Sequence, residues 1–271
     1  MLTFLLAPAW CVFAIATGPQ PPQAGPTLTD AQNLFYNAKH AAAAALAAEV
    51  KPSTPDEELA RDELRTSALL FRLKALLRRP DRKKVDASEM LKQCADCSGL
   101  IAAFMTDFGH GQQLARSRLR ANAADQVALF YLGKLDLSYV WLQLEPLGRK
   151  TGWNEYWEAR RSLDALLKLN PGHIRARVAR AWIDYIVDTR MPWGTEWVLG
   201  GGDKKRALSA IREAVAIESD VFTQAEAEFA LWEMLLREKR RDEAADVARR
   251  LARNFPDNRE LAAFLEMPRQ P

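Results

Sequence analysis

Residues Ala225 to Asn258 read AEAEFALWEMLLREKRRDEAADVARRLARNFPDN, a run of 34 positions. Its apolar residues fall at helical spacing in two blocks, 225–238 and 242–254, and Lys239-Arg240-Arg241 marks a tight turn between them. Pro256 closes the run. The unit is helix, turn, helix, proline. Downstream the pattern predicts one more short helix over 259–265. Upstream it predicts helices over 204–217, 173–188 and 155–169, the last stopped by Asn170-Pro171-Gly172. Further back, a helix over 126–144 is followed by the breakers Pro146, Gly148 and Gly152, and a helix over 112–121 follows a turn at Gly109-His110-Gly111. A third helix, opened by Asp86 with Glu89, should run to about Thr106. Thr54-Pro55-Asp56-Glu57 is a strong start for a second helix reaching Pro80. Ala31 to Val50 is nearly all helix formers and reads as one helix.

The composition agrees. Of 271 residues, 44 are Ala and 36 are Leu, against 13 Gly and 14 Pro. That excludes collagen-like and low-complexity chains, and three Cys are too few for a disulfide-built mini-protein. No run alternates β-branched residues, and no hairpin turn is visible. The expected fold class is all-α. The net charge of +3, with acidic and basic residues interleaved, points away from nucleic acid.

The 225–258 unit resembles a tetratricopeptide (TPR) repeat. On that pattern Leu231 and Leu235 pack inside the first helix, Ala244 is the small residue where the two helices approach, and Pro256 ends the unit. Trp232 and Leu251 stand where the family usually has small residues. Tyr156 to Pro171 resembles a second repeat helix, with Ala159 at the small position. Ile174 to Tyr185 and Ala207 to Ser219 resemble the next pair. Gly111–Asp125 with Ala128–Leu135, and Ala38–Val50, are weaker matches. The resemblance implies a right-handed solenoid of helical hairpins over 30–268, clearest in 155–258, with a concave groove that holds a protein or peptide partner. A generic helical bundle is the alternative. An exported body of this kind is also similar to the T component of TRAP-type transporters, which implies a solute-uptake accessory with a ligand cavity near residues 189–203.

Export is read from the N-terminus. Residues 1–16, MLTFLLAPAWCVFAIA, carry no charge, and Ala14-Ile15-Ala16 is a small-x-small cleavage pattern. A cleaved signal peptide and a periplasmic location are expected, with an uncleaved anchor as the alternative and no membrane contact beyond it. Residues 17–29, TGPQPPQAGPTLT, form an uncharged, proline-rich linker.

Few constellations suggest chemistry. Cys94-Ala95-Asp96-Cys97 lacks the His of a haem site, because position 98 is Ser. A local disulfide in an oxidising compartment is expected; a zinc site, a redox pair and two free thiols are the alternatives. Six of eight Trp lie between 141 and 197. Trp141, Trp157 and Trp182 are expected to fill gaps between helices. Trp193 and Trp197 lie in a long interruption, 189–203, with Arg190 beside them, and suggest a lid. No HExxH, GxSxG, GxGxxG or P-loop is present, so no cofactor, metal or catalytic residue is nominated. The expectation is a binding protein and not an enzyme. First-helix residues Tyr131, Asp184, Tyr185, Glu228 and Trp232 are candidates for the groove, and Trp182, Arg190, Trp193 and Trp197 for the loop beside it.

Overall fold

Asp220 begins a helix because its carboxylate accepts from the backbone N–H groups of Phe222 and Thr223. The same device recurs along the chain. Asp125 accepts from Ala128, Asp203 from Arg206, and Asn258 from Glu260 and Leu261. Thr54 accepts from Glu57, whose own carboxylate is bound one residue further back, by Ser53. A computed structural model describes residues 25–77, 87–149, 151–190 and 201–267. They form twelve helices: α1 (Leu28–Tyr36), α2 (His40–Glu49), α3 (Pro55–Leu76), α4 (Ala87–Lys92), α5 (Cys97–Ala121), α6 (Gln126–Leu144), α7 (Trp153–Leu169), α8 (Ile174–Arg190), α9 (Lys204–Val215), α10 (Val221–Arg237), α11 (Arg241–Asn254) and α12 (Arg259–Glu266). No strand occurs among the described residues, so the fold is all-α.

The packing has two layers. Helices α3, α6, α8 and α10 lie side by side in that order. Each is backed by a helix later in the chain: α5 behind α3, with α4 between them in sequence, α7 behind α6, α9 behind α8, α11 behind α10. The core sits between the layers, with Leu163 and Leu166 of α7 against α6, and Ala244, Val247 and Leu251 of α11 against α10. Gly133 of α6 lets α7 approach, because a Cβ there would lie 2.7 Å from Leu163 Cγ.

Helix α1 joins the two ends of the chain. The Tyr36 ring lies against Phe222, Phe229 and Phe255, at 5.3–5.9 Å between centroids. Asn258 donates to the Tyr36 carbonyl, and the Asp257 backbone N–H donates to Asn37. Lys39 pairs with Asp257 at 2.5 Å.

Three boundaries differ from expectation. Ala31–Val50 is two helices, because the chain turns at Asn37 and Ala38 takes the left-handed conformation, φ 56°. The Gly109-His110-Gly111 turn does not occur; α5 runs straight through it. Gly111 is used for closeness, since a Cβ there would stand 2.7 Å from Leu135 Cδ1 and 3.2 Å from Asp62 Cβ. The third helix is interrupted at 93–96, where Cys94 and Cys97 form a disulfide that sits at the start of α5. Residues 1–16, expected as a signal segment, most of the expected linker 17–29, and Asp86 lie outside the described residues. No helix among the described residues is long and apolar enough to cross a membrane.

Candidate functional site

A cavity of about 570 Å³ lies between α1, the start of α2, the four inner helices and the start of α12. Its wall follows from helical periodicity. On α3 the lining residues include Glu63, Ser67, Leu70, Phe71 and Lys74; on α6 they are Lys134, Leu137, Ser138, Trp141 and Glu145. On α8 they are Arg175, Val178, Ala179 and Trp182; on α10 they include Glu226, Phe229, Ala230, Glu233 and Arg237. Each set recurs after three or four residues, which places it on one face of its helix.

The charges sort into two layers. At one end of the cavity, Lys134 Nζ lies 2.6 Å from Glu226 Oε1 and 3.5 Å from Glu63 Oε1. Arg175 Nε lies 2.5 Å from Glu226 Oε2, and Arg175 Nη2 lies 3.4 Å from Glu63 Oε2. Two carboxylates and two cations from four helices thus close into one set. Burial pushes the Glu226 carboxyl up, but Arg175 and Lys134 outweigh it and hold it at about 2. Burial likewise opposes the charge on Lys134 and Arg175, and Glu226 with Glu63 keeps both cations above their ordinary values.

Three turns further along lies the second layer. Glu63 and Lys74, Lys134 and Glu145, and Glu226 and Arg237 are each eleven residues apart, about 16 Å along a helix. Lys74 Nζ lies 2.9 Å from Glu145 Oε2; Arg237 Nη2 lies 3.6 Å from Glu145 Oε1 and 2.5 Å from Glu233 Oε1. Both cations lie over rings: Lys74 over Phe71 and Trp141, Arg237 over Trp141 and Trp182. Between the layers the wall is apolar and aromatic, completed by Phe35 and Tyr36 from α1. His40 lies between Phe35 and Phe71. Burial, then Lys74, lowers its pKa to about 4, so it is neutral at pH 7. Trp232 Nε1 is buried with no hydrogen-bond acceptor among the described residues.

Of the residues nominated from sequence, Trp182 and Trp232 line this cavity. Tyr131 lines a second hollow of about 450 Å³, with Phe130, His173 and Arg175. Arg175 lines both. Asp184, Tyr185 and Glu228 are buried and bind elsewhere. Asp184 pairs with Arg180 at 2.6 Å and Arg206 at 3.4 Å, Tyr185 donates to Glu238 at 2.9 Å, and Glu228 accepts from Arg250 of α11 at 2.8 Å. Arg190 ends α8, while its side chain and the lid candidates Trp193 and Trp197 lie outside the described residues. Sequence reasoning did not single out Lys74, Glu63, Lys134, Glu145, Arg175, Glu226 or Arg237. Their visible trace is a charged residue inside an otherwise apolar face, as with Lys134 in YLGKLDL, recurring at an eleven-residue interval.

Comparison with protein-family models, with curated proteins and with solved structures finds no match.

Proposed function

We propose that this chain is an exported, TPR-like binding protein that captures an organic solute in the cavity between its inner helices. The observation that carries the reading is the cavity itself: about 570 Å³, aromatic-walled, with its charged groups gathered in two sets at its ends. That is the size and character of a small-ligand site. The TPR-like assignment is supported by inner helices in sequence order, with α6 and α10 each backed by its successor. Export is supported by the uncharged N-terminal segment and by the Cys94–Cys97 disulfide, which suits an oxidising compartment. An extended protein or peptide partner in an open groove is less well supported, because α1 lies against α10 and the loop before α12.

The test uses N-phenyl-1-naphthylamine, an uncharged apolar fluorophore. It should bind the full chain at one site, with enhanced emission. Ser67→Phe and Ser138→Phe, which put a ring into the cavity from α3 and α6, should each abolish that binding while leaving the helical circular dichroism and the unfolding midpoint near wild type. Undiminished binding by both folded variants would overturn the reading.

A further inference from the structure

Among the described residues both ends of the cavity are ion-pair sets that balance, and this limits what can sit between them. The first set holds Glu63 and Glu226 against Lys134 and Arg175. The second holds Glu145 and Glu233 against Lys74 and Arg237. A ligand bearing net charge at either end would have to break a pair to find its counter-charge. Glu260, the remaining carboxylate on the wall among the described residues, is exposed at the start of α12 and screened by water, and His40 between the rings of Phe35 and Phe71 is neutral at pH 7. A ligand ending in bare hydrocarbon fits no better. It would strip water from buried ion pairs and return no hydrogen bond. An end group that both donates and accepts suits a carboxylate and a cation at once. The wall between the two sets offers Leu70, Leu137, Val178, Ala179 and the faces of Trp141 and Trp182, which suit an apolar body.

We infer that the cavity takes a bolaform ligand: an elongated apolar body, about three helical turns long, with a net-neutral hydrogen-bonding group at each end. The inference rests on the solute-binding reading above and names its chemical class. The eleven-residue interval between the charged layers sets the length, and the balanced layers set the end groups.

Competition against bound N-phenyl-1-naphthylamine on the full chain tests it. The competitors are linear α,ω-diols of about eight to fourteen carbons, with 1-alkanols, α,ω-dicarboxylates and α,ω-diamines of the same lengths. The diols should show an optimum near about twelve carbons. At that length the diol should compete about tenfold or more tightly than the alcohol, the dicarboxylate or the diamine. In Glu145→Gln the second set is left with an excess cation. That variant should shift preference about tenfold toward the ω-hydroxycarboxylate of the same length. Equal competition by alcohol and diol overturns the inference, because then one pole is not in contact with ligand. A best competitor that is the dicarboxylate or the diamine overturns it on charge. If the fluorophore binds but the diol has no advantage, only the ligand class fails; if the fluorophore does not bind, both readings fail.

Discussion

Asp136 is fully buried on α6, where Gln112 donates to its Oδ1 at 2.8 Å and Glu158 of α7 stands close enough to oppose its ionisation. Burial first, then Glu158, pushes its pKa from 3.8 to about 9. The folded state therefore holds a proton that the unfolded chain has lost above about pH 4. Stability from this group is greatest below that value and falls as pH rises toward about 9. Asp136→Asn keeps the shape and removes the titration. Its urea midpoint should match wild type near pH 4 and exceed it at pH 8; equal midpoints at both values would refute the assignment. Nothing in YLGKLDLSY marks Asp136 as neutral, because the carboxylate that perturbs it arrives from the next helix. The cap Thr54, by contrast, is legible as a single residue, since a cap acts on backbone two or three positions away.

At the scale of elements, periodicity places most helices correctly, and the misses share a cause. Gly109 and Gly111 look like a turn because glycine disfavours helix by about 1 kcal/mol. Packing overrides that cost, since close approach of Leu135 and Asp62 to Gly111 needs a residue without Cβ. Helix α1 is similar: its sequence announces a helix and nothing announces its partners. Tyr36 is the contact that matters there, stacked on Phe222 and Phe229. Tyr36→Ala should cost about 3–5 kcal/mol in urea unfolding, and should weaken binding of N-phenyl-1-naphthylamine by opening the wall. Lys39→Ala removes a pair whose side chains are 46% and 63% exposed, and should cost under about 1 kcal/mol. Comparable losses in the two variants would show that α1 is held by its charges and not its ring.

Across the whole molecule, the ion-pair set of Glu63, Lys134, Arg175 and Glu226 ties four helices together. Removing one member strands the others. Lys134→Met leaves two carboxylates facing one guanidinium, and should destabilise by about 3–5 kcal/mol. Adding Glu226→Gln restores the balance and should recover a large part of that loss. Additive losses in the double variant would mean the four groups do not act as a set. The helices that carry these residues were legible from apolar periodicity, but this set was not. Arg175 and Glu63 are 112 positions apart, and sequence displays charges without displaying their partners.

The contact between Tyr36 and Asn258 spans 222 positions. A ribosome delivers the first of these residues long before the last, so for most of synthesis α1 rests on α2 and α3 alone. The inner helices can stack as they emerge, each on its predecessor, but the chamber they border acquires its final wall only when α10 and the loop after α11 arrive. A ligand bound in that chamber would therefore favour chains made past α11 over shorter ones.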